Sequence, residues 1–312
     1  MYFPVLRGKL HELNAVLRLA PTLIAAGNVI PIIEPVRARW PDINSILDAG
    51  LPLGLIVNPQ YGIYSTPGPR SRRVPVRLPA AARSTFRRPE ARPTFLVTIN
   101  TGAALTRTFG NVHGQRPHFV YVRRRPRDQA VLTLVNATPP ERLLVRKRVV
   151  ATLPPRTRNV DVITTYRRAG ANARYPLDES FSLRPTDIGT DPDFGHYGDY
   201  SIEGASYRGD GGGGQAARNV ALHLIYSTAG AGSELRIRHY VSRALGDFEA
   251  MCREALGSLV ADVPRLRRAS QVNDTVALRE MVAHYRGGDT YSLGEAKEMA
   301  IRHHLELMTV AQ

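Results

Sequence analysis

The chain has 312 residues, of which 43% are hydrophobic and 22% charged, a composition typical of globular proteins that excludes a disordered chain. Its only cysteine, Cys252, excludes an intrachain disulfide, and the lack of any apolar run of about 18 residues excludes a membrane-spanning helix. The first residues also lack the pattern of a signal peptide, so we expect a cytoplasmic protein with no membrane association.

The charge of the chain is strongly positive, at +15 for pH 7. Lys9, Lys147 and Lys297 are the only lysines, and the other 39 of the 42 basic residues are arginines. Clustered arginines release counterions from a phosphate backbone, so an arginine-rich surface is one route to nucleic-acid binding. A genome-wide arginine bias would give the same count without any function, and composition leaves both interpretations open.

Short apolar runs separated by helical or loop segments indicate repeated β-α units. The eight candidate barrel strands span residues 2–6, 29–34, 53–58, 94–100, 118–123, 142–149, 197–202 and 219–226. A ninth run, residues 235–241, alternates apolar and polar side chains. We therefore predict an α/β fold, a TIM-barrel-like (β/α) barrel with an extra strand, as a domain of residues 1–245.

Helical periodicity marks residues 11–26 and 244–260, whose apolar positions fit a cover for the sheet. Residues 272–285 and 294–308 form a predicted C-terminal helical pair within residues 246–312. We expect this pair to bury its apolar stripe on the same domain or to mediate self-association into a homo-oligomer. Segments rich in Pro, Gly, Ser or Asp predict loops at residues 67–93, 187–193 and 209–214.

Polar side chains end several candidate strands, and in (β/α) barrels the carboxyl ends of the strands form the active face. Glu34 and Asp199 are the candidate catalytic residues, since two carboxylates suit a hard cation such as Mg²⁺. Amide side chains at the same ends are candidate substrate-binding groups, namely those of Asn58, Gln60 and Asn100. In the alternative interpretation, all of these residues cap strand ends through hydrogen bonds to the backbone.

Further candidate binding residues are Arg7 and Lys9, after the first strand, and His223 and His239, inside later apolar strands. A lone histidine in such a strand is more often a satisfied sheet residue than a ligand. Basic clusters follow two strands, at residues 123–125 and 146–148. They form an anion-binding rim if they share one edge of the sheet, and are solvated charge otherwise.

The opening MYFPVLRGK-x-HEL, followed by IPIIEPV and LIVNPQYG, resembles a bacterial family called "sce" proteins and, more distantly, the phage-type "beta family proteins". The segments FGHYGDYSIEG, ALHLIY, LRIRHYVS and IRHHLELM fit the same pattern in order, so the resemblance spans nearly the whole chain. It implies a TIM-like barrel whose pocket residues are Glu34, Asn58, Gln60, Asp199 and Tyr200. It also implies membership of a two-gene mobile or anti-phage cassette, with a smaller partner protein encoded nearby.

Two classes of function follow from these observations. The first is a component of such a cassette that acts with the smaller partner, on nucleic acid or on another phosphate-bearing ligand. The second is a stand-alone barrel enzyme, a metal-dependent hydrolase of phosphoesters that holds its metal through Glu34 and Asp199. A structural binding module is a third option.

Overall fold

Parallel strands rich in β-branched and aromatic residues close into an eight-stranded barrel in the computed structural model of this chain. In order around the barrel, the strands are β1 (Tyr2–Leu6), β11 (Tyr197–Asp199), β9 (Val160–Ile163), β8 (Arg142–Arg146), β7 (Phe119–Val122), β6 (Ala91–Val97), β3 (Leu53–Ile56) and β2 (Ile32–Ile33). Every neighbouring pair is parallel. The carboxyl ends of the strands therefore lie together at one end of the barrel.

The structure describes residues 1–68, 72–75, 80–99, 101–102, 119–128, 130–137, 140–150, 153, 160–164, 174–181, 196–203, 219–228, 234–243, 247–289 and 291–310. Within these residues, no helix is both long and apolar enough to cross a membrane.

Contacts divide the chain into two compact units, each assembled from three segments. The first unit comprises Met1–Lys9, Ile30–Thr164 and Ile188–Asp199, and holds the barrel. It also contains an antiparallel pair, β4 (Ser65–Gly68) with β5 (Arg72–Pro75), and the helices α2 (Trp40–Asp48), α3 (Ala80–Thr85), α4 (Ala130–Ala137) and α5 (Lys147–Val150). A 3₁₀ turn spans Gly62–Tyr64.

The apolar core of the first unit includes a cluster that joins β6, β7, β8 and β9 to α4 and α5. Side chains at alternate strand positions supply it, because successive strand residues point to opposite faces of the sheet. The buried members are Phe95, Val97, Val120, Val122, Val131, Leu132, Val135, Leu143, Val145, Val149 and Val160. Burial of each of the larger side chains contributes roughly 1.5–3 kcal/mol to the free energy of unfolding.

The second unit comprises Leu10–Val29, Thr165–Asp187 and Tyr200–Gln312. Its sheet is antiparallel, with β13 (Leu235–Val241) between β10 (Asp178–Ser180) and β12 (Ala221–Ser227). Its helices are α1 (Leu10–Ala26), α6 (Phe248–Ala269), α7 (Val276–Arg286) and α8 (Leu293–Val310), with 3₁₀ turns at Ser201–Glu203 and Gln271–Asn273. Helix α8 contacts α1, α7 and β12, and is the central element of the unit.

The predicted fold class is confirmed: the chain contains a TIM-barrel-like (β/α) barrel, further strands and C-terminal helices. One predicted barrel strand is wrong, because residues 219–226 belong to the antiparallel sheet and Val160–Ile163 fills the eighth barrel position. Residues 235–241, predicted as an extra strand of the barrel, pair with β12 in that same sheet. Both segments therefore belong to the same unit as the C-terminal helices, although the sequence-based boundary at residue 245 groups them with the barrel.

The predicted loop at residues 67–93 contains β5, α3 and the start of β6. Its Ala-rich part forms α3, since alanine favours the helical conformation. The other two predicted loops, at residues 187–193 and 209–214, lie outside the described residues.

Candidate functional site

Strand alternation places a row of side chains inside the barrel. Phe3 on β1 contacts Phe119 on β7, with ring centroids 5.8 Å apart, although these two strands lie opposite each other in the barrel order. Both rings must therefore point into the lumen. Arg7 and Arg123 each follow four residues later, so their side chains share that inward direction at the carboxyl ends of the strands.

Arg7 and Glu34 form a buried ion pair at the ends of β1 and β2. The backbone N–H of Glu34 donates to the carbonyl of Leu6, which extends the strand ladder to this position. The second carboxylate oxygen, Oε1, accepts a hydrogen bond from the backbone N–H of Gln60 at 2.7 Å. The pair is therefore fixed in position by three neighbouring strand ends.

Tyr61 contacts two guanidinium groups. The Cζ atoms of Arg7 and Arg123 lie 4.9 and 4.8 Å from the centroid of its ring, within the range of cation–π contacts. Nη2 of Arg123 also donates a hydrogen bond to the Tyr61 hydroxyl at 2.7 Å. Arg7 and Arg123 are only 3% and 5% exposed, so two cationic groups are held out of water around one aromatic ring. Such an arrangement suits an anion that carries several oxygen acceptors.

Gly8 permits the sharp turn that follows Arg7. Its φ angle is +61°, in the left-handed region that L side chains rarely adopt, and a Cβ here would lie 3.3 Å from the carbonyl oxygen of Glu34. Lys9, the next candidate along the chain, is partly buried. The turn lets Arg7 remain at the strand end while the chain leaves the barrel.

Asn58 has a structural role at this end of the barrel. Its side-chain amide donates to the carbonyl oxygen of Leu96 and accepts from the N–H of Leu96, both at 2.8 Å. The side chain thus pins the end of β3 to β6, as the capping interpretation predicts. Gln60 contributes its backbone N–H to Glu34, and its side chain lies 3.5 Å from the carbonyl of Asn58. Asn100 lies outside the described residues.

Asp199 is fully buried among tyrosines. Its two carboxylate oxygens accept hydrogen bonds from the hydroxyls of Tyr2, at 2.8 Å, and Tyr197, at 2.9 Å, and these two rings stack. Burial, followed by the charge of Asp199, raises the pKa of Tyr2 well above its ordinary value. The carboxylate therefore has both of its oxygens engaged by neutral phenols.

The structure does not bring Asp199 to Glu34. Asp199 is paired in register with Pro4, so the two residues share one face of the sheet. Pro4 follows the inward-pointing Phe3, and both Pro4 and Asp199 therefore point to the outer face of the barrel. Glu34 instead contacts the inward-pointing Arg7. The sequence-based pairing of these two carboxylates is therefore corrected, because a strand end fixes a residue's height in the barrel and not its face.

A second polar cluster of the first unit joins Asp161, His196 and Arg142, at the start of their strands. Nδ1 of His196 lies 3.0 Å from Oδ1 of the fully buried Asp161 and 3.1 Å from Nη1 of Arg142. Burial raises the pKa of Asp161 and lowers the pKa of His196. Sequence reasoning assigned no role to this cluster, although an aspartate inside the apolar run Val160–Ile163 was its signal.

His223 and His239 contact each other in the second unit, at paired positions of β12 and β13. Their Nδ1 atoms lie 2.6 Å apart, and Nε2 of His239 lies 2.9 Å from Oε1 of Glu179. The ring of Tyr175 lies 4.6 Å from both imidazoles. The two histidines therefore act as a hydrogen-bonded sheet pair, and sequence reasoning did not identify the glutamate and tyrosine that complete it.

The last predicted pocket residue, Tyr200, is buried and belongs to the second unit. Over the described part of the chain, no group of three or more His, Cys, Asp or Glu side chains is arranged to hold a metal ion. No protein-family model matches this chain, and no curated protein matches it significantly.

Proposed function

We propose that the protein binds a phosphate-bearing ligand at the carboxyl ends of the barrel strands, through Arg7 and Arg123. The observation that carries this proposal is that two buried guanidinium groups both contact the ring of Tyr61. Guanidinium groups match the geometry of phosphate oxygens, and their charge is weakly screened where water is excluded.

Arg7 and Arg123 reach the site from opposite sides of the barrel, since β1 and β7 are separated by three strands in either direction. Glu34 compensates the charge of Arg7, so one net positive charge remains among these side chains. Glu34 orients Arg7, and the Tyr61 hydroxyl orients Arg123. A site that is already oriented loses little side-chain entropy when the ligand binds.

The hydrolase alternative receives no support from these contacts. Both carboxylate oxygens of Glu34 are engaged, by Arg7 and by the N–H of Gln60, and both oxygens of Asp199 accept tyrosine hydroxyls. A Mg²⁺ ion at either carboxylate would have to replace these bonds. We therefore propose binding of the ligand rather than its hydrolysis.

The resemblance to cassette proteins adds a partner to the proposal. In this view the chain acts with a smaller protein encoded nearby in a two-gene anti-phage or mobile cassette, and ligand binding at the barrel end is the event that the pair responds to. Co-purification of the chain with the product of the neighbouring gene, with and without the ligand, is the direct measurement.

The proposed site is tested by substituting Arg123→Gln and titrating the protein with pyrophosphate, nucleoside triphosphates and a short single-stranded oligonucleotide. Loss of a charge-assisted hydrogen bond of about 1.5–3 kcal/mol predicts that affinity falls by about ten- to hundredfold. Arg124→Gln is the matched control, because it removes the same charge from the adjacent, exposed residue.

Equal weakening by Arg123→Gln and Arg124→Gln would show that only the general basic surface attracts the ligand. Absence of binding by the unmodified protein to every one of these phosphate compounds would contradict the proposed function.

A further inference from the structure

A cavity of about 480 Å³ lies in the second unit, bordered by α1, the start of α7 and α8. Its volume is within the range of small-molecule sites, which is roughly 300–1,000 Å³. One part of its lining is apolar, formed by Leu19, Val272, Val276 and Val310. The remainder is polar and carries both signs of charge, so the cavity combines the features of a ligand site.

Arg302 is the most buried cation of this lining, with a side chain only 7% exposed. Its Nη1 donates to Oε2 of Glu280 at 2.7 Å and lies 3.3 Å from the sulfur of Met299. Its Nε is buried without accessible surface, so a ligand in the cavity cannot contact that atom. Nη2 meets no acceptor in the part of the chain that the structure describes, and it remains the donor that a ligand carboxylate can reach.

Glu306 lies one helical turn after Arg302 and also lines the cavity. Its carboxylate accepts the backbone N–H of Ala277 at 3.2 Å, and burial raises its pKa. Asp274 also belongs to the lining, but its carboxylate already pairs with Arg267 and Arg279. Glu306 would repel a ligand that carries negative charge alone, whereas it would stabilise a ligand that also carries an ammonium group.

The other cations of the lining are more exposed and already paired. Arg18 pairs with Glu298 at 3.1 Å, and Arg279 pairs with Asp274 at 3.4 Å. These two side chains are 65% and 52% exposed, which places their charge near solvent, where it contributes little to affinity. Nη2 of the buried Arg302 is therefore the donor that selects the ligand.

We propose that this cavity binds a zwitterionic α-amino acid with an apolar side chain. The ligand carboxylate accepts a hydrogen bond from Nη2 of Arg302, and its ammonium group faces the carboxylate of Glu306. Its side chain packs against the valines and the leucine of the lining. This site is distinct from the proposed phosphate site, since all of its residues belong to the second unit.

The test compares three ligands with the full chain by isothermal titration calorimetry: L-leucine, 4-methylpentanoate, which lacks the ammonium group, and 3-methylbutylamine, which lacks the carboxylate. We expect L-leucine to bind and each analogue to bind at least about tenfold more weakly, because each lacks one charged contact. Affinity of 4-methylpentanoate equal to that of L-leucine would overturn the zwitterion assignment, as would failure of L-leucine to bind.

Two variants locate the binding site. Arg302→Lys keeps a charge beside Glu280 but loses the Nη2 donor, and should weaken L-leucine binding by about tenfold or more. Thr22→Trp places a large side chain at an exposed position of the lining and should block binding without disturbing the core. Arg286→Gln, at an exposed residue of α7, is the matched control and should leave affinity unchanged. Undiminished binding by either cavity variant would overturn the proposed site.

Discussion

His303 is a fully buried histidine whose contacts fix its protonation. Nε2 lies 2.8 Å from the carbonyl oxygen of Ile225, which can only accept, so Nε2 carries the proton. Nδ1 then accepts from the hydroxyl of Thr275 at 2.6 Å, and that hydroxyl accepts the N–H of Leu278. Burial lowers the pKa of His303 to about 4. The folded protein thus holds a neutral imidazole that also supports the start of α7.

We predict that the free energy of unfolding falls as the pH is lowered from about 6.5 to 4, because the unfolded chain takes up a proton at His303 that the folded chain excludes. The full contribution, of about 3 kcal/mol, is present above pH 6.5. His303→Gln keeps an N–H donor but does not titrate. The free energy of unfolding from urea denaturation should therefore differ less between wild type and variant at pH 4 than at pH 6.5. A wild-type-to-His303→Gln difference that is independent of pH would contradict the prediction.

At the residue scale, sequence reasoning could identify strand ends but not the faces of the strands. Arg7, Glu34 and Gln60 do meet at one end of the barrel. Asp199 does not join them, because a shift of one residue along a strand reverses the direction of the side chain. Tyr61 was overlooked because it lies in the turn after β3, where no periodic pattern marks the direction of a side chain.

Helix α8 is buried on nearly all sides, which is unusual for a helix that also contains several charged residues. Met299, Leu305 and Met308, the three large apolar side chains of the predicted stripe, are 5%, 0% and 0% exposed. The predicted docking of the C-terminal helical pair is therefore confirmed, with α7 and α8 in contact. Charged residues of α8 are accommodated because they pair with neighbours, as Arg302 does with Glu280.

We predict that deletion of the chain from Gly294 onward prevents the second unit from folding, since it removes the helix that contacts α1, α7 and β12. The milder change Leu305→Ala should lower the free energy of unfolding by about 2–5 kcal/mol. Leu17→Ala, at a residue 36% exposed, is the control and should cost well under half as much. Thermal melting and mass in solution are the measurements. Unchanged melting after the deletion would show that α8 is an accessory segment.

At the element scale, local pattern identified most barrel strands because their β-branched and aromatic runs are bounded by turns. It failed at Val160–Ile163, a short strand interrupted by Asp161. It also assigned residues 219–226 to the barrel, since an apolar run does not specify whether its partner strand is parallel or antiparallel. That choice depends on contacts distant in sequence, which no local window contains.

The whole molecule carries a net charge of +15, nearly all of it from arginine. Such a charge attracts polyanions without selecting a base sequence, because selection requires side chains that reach the edges of bases. The sequence contains no helix-turn-helix, zinc-finger or RNP motif. Any binding of nucleic acid by this charge is therefore expected to be electrostatic and weakly selective for sequence.

We predict that the affinity for a labelled oligonucleotide falls by about 10²-fold or more between roughly 50 and 200 mM salt, measured by fluorescence anisotropy. Oligonucleotides of unrelated sequence should bind equally, and heparin should compete with all of them. A complex that is insensitive to salt and selective for one sequence would contradict this prediction.

The division into two units has a consequence for synthesis on the ribosome. The chain passes between the units five times, and β1 pairs with β11 nearly 200 residues later. The first strand of the barrel therefore emerges long before its partner, and α1 emerges before α8, which it contacts. Most multidomain chains complete their amino-terminal domain first. Here the first unit needs the chain as far as Asp199, and the second unit needs α8 at the far end of the chain. The second unit therefore keeps apolar surface exposed until translation is almost finished, and chaperones that bind such surface have a long interval in which to act.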